Sequence, residues 1–164
     1  MIDDFRYYLR VRYSECDAQK VVFNARYADY VDLAATEFLR FLGAESGLPD
    51  GEFDYQVVKL TIEWNAPARY RQALEVAVRT SYVGNTSFAL TMEIRVAGEE
   101  QLIASAEMIS VAVDPVTVAK TPVPPAMRDA MNRGAPGSCI DHAGYLDQHE
   151  AAAARQHPKI QVGT

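Results

Sequence analysis

The chain has 164 residues, the length of one domain, and 49% of them are hydrophobic, enough for a packed core and too many for a disordered chain. Sixteen Lys and Arg against 22 Asp and Glu give a net charge of −6, a balance that argues against a nucleic-acid binder. Two cysteines, Cys16 and Cys139, exclude a disulfide scaffold. No apolar run approaches the roughly 20 residues of a membrane span, and Met1-Ile2-Asp3-Asp4 lacks a signal peptide's apolar core. A cytoplasmic protein is expected, with no membrane and no nucleic-acid partner.

Taken in chain order, Phe5, Tyr7, Leu9, Val11 and Tyr13 alternate with Arg6, Tyr8, Arg10 and Arg12, the period of a strand with one buried face. The alternation stops at Ser14. Tyr27, Tyr30, Val31, Ala34, Ala35, Phe38 and Leu42 then recur at helical spacing, with Asn24 as the expected N-cap and Gly43 as the expected stop. Leu33, Leu39 and Phe41 widen the apolar face, so this helix should be mostly enclosed. Four strand-like runs follow, over 58–65, 74–82, 88–96 and 102–113, with turns at Gly84-Asn85 and at Ala97-Gly98-Glu99-Glu100. The last run alternates weakly, as a strand covered on both faces does. A short helix is expected over 126–132. The remainder, 133–164, mixes Gly, Pro, Ala and Gln and holds His142, His149 and His157, whose spacings match no common zinc pattern. It reads as an appendage, with docking on a neighbouring subunit as its expected role. One strand, a long helix and four strands make an α+β layer whose sheet edges need cover, which points to an oligomer.

Chemistry concentrates between the first strand and the helix, in Tyr13-Ser14-Glu15-Cys16-Asp17-Ala18-Gln19-Lys20-Val21-Val22-Phe23-Asn24-Ala25-Arg26-Tyr27. Asp17 sits in a loop shortly before the expected N-cap, and the apolar Val21-Val22-Phe23 should hold that loop inward. A carboxylate partly withdrawn from water, beside the free N–H groups and positive dipole end of a helix, is a pairing suited to acyl transfer. By residue type alone, capping a turn is the ordinary role of a loop Asp.

This segment, read on through Arg40, resembles the hotdog-fold thioesterases, and within them the 4-hydroxybenzoyl-CoA thioesterase-like group. The shared features are an aromatic-x-x-x-Asp pattern, a Val-Val pair, a following aromatic residue and an Asn-x-x-Tyr helix opening. Pro67-Ala68-Arg69-Tyr70, Thr86-Ser87 and Thr121-Pro122-Val123-Pro124 are similar to later features of that group. The resemblance spans roughly 5–131, so the expected organisation is a hotdog thioesterase domain over 1–131 and a C-terminal appendage over 132–164.

The resemblance implies a long central helix wrapped by a five-stranded antiparallel sheet, and hydrolysis of an acyl-CoA thioester. It makes Asp17 the catalytic carboxylate, attacking the carbonyl or activating water, and puts Asn24 where a helix N-terminal backbone N–H polarises that carbonyl. Thr86 and Ser87 match a strand-start position near the thioester, and Tyr27, with Tyr55 and Trp64, is a candidate for the acyl pocket. Lys20, Arg26, Arg69 and Arg71 are candidates to meet the anionic coenzyme at the cleft mouth. The site is implied to lie between subunits of a homodimer or homotetramer, with no metal and no cofactor.

Two departures matter. Lys20 stands where the family usually carries Gly, so a different loop path is expected. Gly84-Asn85 stands where some members carry an Arg for coenzyme A phosphate. These keep two other readings open: an acyl-ACP thioesterase, and a non-catalytic hotdog that binds an acyl ligand or serves in assembly. A hydratase is disfavoured because no His precedes residue 142, and for the same reason Cys16 has no local base. Glu37 is the reserve carboxylate on the helix.

Overall fold

The computed structural model describes residues 4–49 and 51–156, so His157 lies outside it. Strand β1 (Phe5–Arg10) leads through a short helical turn, Tyr13–Glu15, and an irregular loop into helix α1 (Arg26–Glu45). Strands β2 (Asp54–Trp64), β3 (Ala73–Val83), β4 (Ser87–Val96) and β5 (Leu102–Val113) follow. Helix α2 (Pro125–Arg133), strand β6 (Cys139–Asp141) and helix α3 (Tyr145–Gln156) complete the described chain.

The sheet order is β2-β5-β4-β3-β1-β6. Leu74, Val76 and Val78 of β3 pair with Val96, Ile94 and Met92 of β4, and Leu90, Met92 and Ile94 pair with Met108, Ala106 and Ala104 of β5. This continuous apolar row faces α1, whose Tyr27, Tyr30, Val31, Ala34, Ala35, Phe38, Leu39 and Leu42 are all buried. Ala34 and Ala35, fully enclosed, let the helix lie close to the strands. The sheet curls around the helix. Phe5 of β1 packs on Phe38 at 5.4 Å, while the Tyr55 hydroxyl of β2 meets Thr36 Oγ1 at 3.4 Å. Strand β5 is buried along most of its length, as its weak alternation implied.

Five expectations change. Among the described residues the sheet has six strands, because β6 joins the edge of β1 in parallel, with Tyr7 opposite Ile140. The appendage is therefore docked on its own chain, where Tyr145 stacks on Tyr8 at 5.5 Å and the Asp141 carboxylate caps the turn into α3. The first strand stops at Arg10, and Tyr13, expected on its buried face, is 79% exposed because the chain turns away to bury Glu15 instead. Helix α1 runs through Gly43, which lies beside Met127 of α2; the left-handed stop is Gly47, at φ 69°. Its N-cap position is Ala25, in a helical conformation, and not Asn24.

The two sheet edges differ. The β1 edge is covered by β6, whereas β2 is an edge strand with Val57, Val58, Leu60 and Trp64 exposed. Among the described residues, no helix is long and apolar enough to cross a membrane.

Candidate functional site

The loop between β1 and α1 is built from short-range hydrogen bonds. Cys16 pairs with Val22 in an antiparallel bridge, and the Asp17 N–H donates to the Val21 carbonyl at 2.9 Å. Within this loop the Lys20 N–H donates to the Asp17 carbonyl and the Gln19 N–H to Asp17 Oδ1, at 2.9 and 2.8 Å. Asp17 thus makes the turn-capping contact typical of a loop Asp, but with one carboxylate oxygen only; Oδ2 has no hydrogen bond among the described residues. The carboxylate is half-buried, oriented at one oxygen and open at the other.

Lys20 takes φ 62°, a left-handed conformation that costs an L-residue about 1 kcal/mol or more. Lys20 thus adopts the conformation that a Gly would adopt without strain, although its side chain was expected to exclude it.

Outside the loop, two neighbours hold it. Val21 bridges Arg69, and the Val22 N–H donates to the Ala68 carbonyl at 2.8 Å. The Ala68 N–H in turn donates to the Tyr27 hydroxyl at 3.3 Å, which is the polar task of Tyr27. Tyr27 is 1% exposed, packed edge-on against Trp64 and Tyr30. The residue expected in the acyl pocket is placed in the core of this chain, and burial raises its hydroxyl pKa against the pull of the Ala68 N–H.

Glu15, given no role by the sequence reading, organises this region. The residue is 5% exposed. Oε2 accepts from the Arg12 N–H at 2.8 Å and from the Tyr30 hydroxyl at 2.7 Å, and Oε1 accepts from Arg12 Nε at 2.9 Å. Burial works to raise this carboxyl, but the Arg12 N–H, the Tyr30 hydroxyl and the Arg12 guanidinium together hold it below its ordinary value. Tyr30 is pushed up, first by burial and then by its bond to Glu15. The i,i+3 pair of Arg12 and Glu15 was the available sequence signal, but an exposed pair would look the same.

The Glu15 carbonyl accepts from the Phe23 N–H at 2.9 Å, which brings the start of α1 beside the loop. Helix bonding then begins with Arg26 to Phe23 and Tyr27 to Asn24. The Asn24 and Ala25 N–H groups donate to nothing among the described residues, at the positive end of a 20-residue helix. Asn24 is exposed, and its contribution here is backbone.

The cations divide. Lys20, Arg69 and Arg71 are exposed around the Val21–Arg69 bridge. Arg71 lies over the Tyr70 ring at 5.4 Å, and Tyr70 meets Tyr13 edge-on at 5.8 Å. Arg26 is paired with Asp29 at 3.3 Å. Thr86 and Ser87 are elsewhere: Ser87 opens β4, whose other end at Val96 pairs with Leu74 on the side of the Asp17 loop. Ten residues of strand separate the two ends by about 30 Å. Glu37 pairs with Arg40 at 3.2 Å. It lines a cavity of about 600 Å³ with Leu39, Phe41, Phe53, Tyr55 and Met127, against the C-terminal half of α1.

Comparison with known proteins gives one answer. Residues 11–131 match the thioesterase-like superfamily. The acyl-CoA thioester hydrolase YbgC of Escherichia coli O157:H7 is 34% identical over 121 residues, covering 73% of this chain and 90% of that protein. The structure of BH1999 gentisyl-coenzyme A thioesterase superposes with a TM-score of 0.67 at 27% identity, over 77% of this chain and 98% of that one. The PA5185 protein of Pseudomonas aeruginosa superposes with a TM-score of 0.73 over 84% of this chain and 95% of its own, and at 22% identity it speaks for the fold alone. The chain has the hotdog fold and belongs to the thioesterase-like superfamily.

Proposed function

We propose that this protein hydrolyses acyl-CoA thioesters, with Asp17 as nucleophile or general base and the Asn24 and Ala25 N–H groups as donors to the thioester oxygen. The observation that carries the reading is the pair of unbonded N–H groups at the start of α1, next to a loop whose carboxylate keeps one oxygen uncommitted. A carbonyl oxygen that accepts from those N–H groups becomes more electrophilic at carbon and is stabilised as negative charge develops. The open Asp17 oxygen then attacks the carbon and expels the thiolate, giving an anhydride that water hydrolyses to the free acid and Asp17, or it takes a proton from the water that attacks, and the expelled thiolate leaves with that proton. The fixed oxygen keeps the carboxylate aimed during either step.

A second copy completes the site in this reading. The β2 edge carries exposed Val57, Val58, Leu60 and Trp64, while the opposite edge is covered by β6. Antiparallel pairing of two β2 edges about a two-fold axis sets the Tyr55 end of one strand beside the Trp64 end of the other. It thereby brings the Thr86–Ser87 end of one protomer to the Asp17 end of its partner, a meeting that one chain does not achieve. Lys20, Arg69 and Arg71 then meet the coenzyme's phosphates at the cleft mouth.

The test is free-thiol release from short, long and aromatic acyl-CoAs, for the native protein and Asp17→Asn, with a substrate-free control for Cys16 and Cys139. Native turnover that falls about a hundredfold or more in Asp17→Asn is expected. Unimpaired turnover in the variant moves the chemistry to another carboxylate, Glu37 first. No native turnover with any acyl-CoA, but release from an acyl carrier protein, replaces the substrate.

A further inference from the structure

We infer that Glu15 is a positioning residue for thioester hydrolysis, setting the distance and angle between the Asp17 carboxylate and the Asn24 and Ala25 N–H groups. The inference rests on the Asp17 reading above. Three facts carry it. Glu15 stands two residues before Asp17 and is 95% enclosed, and its carboxylate is fully engaged, by Arg12 just after the first strand and by Tyr30 one turn into α1. Its own carbonyl takes the Phe23 N–H, the last one committed before the two unbonded groups. A single residue therefore fastens the loop bearing the carboxylate to the helix bearing the donors, from both its side chain and its backbone.

Packing alone does not account for a charge here. Glu15 is enclosed while its partner Arg12 reaches solvent; well-packed apolar residues often match a buried charge in stability, but an apolar side chain does not set direction. Direction is what the reaction needs, because misplacing a reacting group by about 1 Å can lower the rate by about a hundredfold.

The test is a double-mutant cycle in the full-length chain: Glu15→Gln, Asp17→Asn and the double variant, with Tyr30→Phe as the milder counterpart and Met131→Ala as a destabilised control distant from the loop. kcat and KM are measured with an acyl-CoA that the native protein hydrolyses, alongside thermal midpoints. Glu15→Gln is expected to lower kcat about thirtyfold with KM within threefold, and Tyr30→Phe about fivefold. Met131→Ala should keep kcat within twofold even if its midpoint falls further. In the Asp17→Asn background, Glu15→Gln should cost almost nothing more, because a residue that acts through Asp17 has nothing left to position. If the two losses multiply, or if Glu15→Gln and Tyr30→Phe match Met131→Ala, Glu15 is structural and the inference falls while the Asp17 reading stands. Unimpaired activity in Asp17→Asn overturns both. Should Glu15→Gln fail to fold, the same cycle with Tyr30→Phe decides the question.

Discussion

Val21 and Arg69 pair across an isolated antiparallel bridge, which fastens the turn carrying Arg69, Tyr70 and Arg71 to the loop carrying Asp17. A chain with net charge −6 thus keeps three exposed cations, Lys20, Arg69 and Arg71, around its candidate site. Such a local reversal of sign favours an anionic substrate.

If those cations meet coenzyme phosphates, replacing Arg69 and Arg71 together by Ala raises KM for an acyl-CoA about five- to tenfold, with kcat nearly unchanged. The same variant should hydrolyse the matching acyl-pantetheine, which lacks the nucleotide, as the native protein does. Steady-state kinetics on the two substrates checks this, and equal effects on both would assign the arginines to the fold.

Lys20 holds a strained backbone at φ 62°, where its β-carbon crowds the neighbouring backbone as a Gly would not. Lys20→Gly removes that strain and adds unfolded-state entropy, so a net gain of roughly 0.5–1 kcal/mol is expected, or about 1–4 °C in thermal midpoint. Calorimetry checks the sign; a lower midpoint would mean that the Lys20 side chain contributes more than its backbone loses.

The Glu15 cluster also predicts a pH response on both flanks. The folded-state value of Glu15 is lowered, so its stabilisation is complete above the ordinary Glu value of about 4.3 and is lost as pH falls through the lower folded value. Tyr30 is raised, so its contribution is complete below the ordinary Tyr value of about 10 and fades as pH rises beyond it. Thermal midpoints across pH should show Glu15→Gln less sensitive than the native protein on the acid side, and Tyr30→Phe less sensitive on the alkaline side.

The exposed β2 edge predicts how assembly and activity are linked. Val58, 61% exposed, and Leu60 lie on that edge, and a Lys at each position opposes edge-to-edge pairing. Val58→Lys with Leu60→Lys should sediment as a monomer and lose at least tenfold in kcat, since Thr86–Ser87 of one copy no longer reaches the Asp17 end of the other. A monomer with full activity would place the whole site within one chain.

The first strand, the long helix and the four strands after it were readable along the chain because each repeats on its own period, while the hotdog architecture was implied by the resemblance of the segment around Asp17. The helical spacing from Tyr27 to Leu42 and the run of β5 over Leu102–Val113 name their structures without help from distant residues. The loop bearing Asp17 was readable for the same reason, as a break between two periodic stretches followed by a helix start. The outcome at Asn24 shows the limit of such reading: it stands where a cap is expected, but the chain caps at Ala25 and leaves two backbone N–H groups unbonded.

What only the tertiary structure decided depends on residues far apart in sequence. Burial of Glu15 requires Tyr30, the left-handed Lys20 sits in a loop that Arg69 and Ala68 brace, and the sixth strand exists because Ile140 finds Tyr7. The separation of Thr86 and Ser87 from Asp17 likewise follows from strand direction, which no period encodes. Local patterns specify which face of an element is apolar. They leave open which distant partner covers it, and that choice decides whether a carboxylate such as Glu15 is solvated or held.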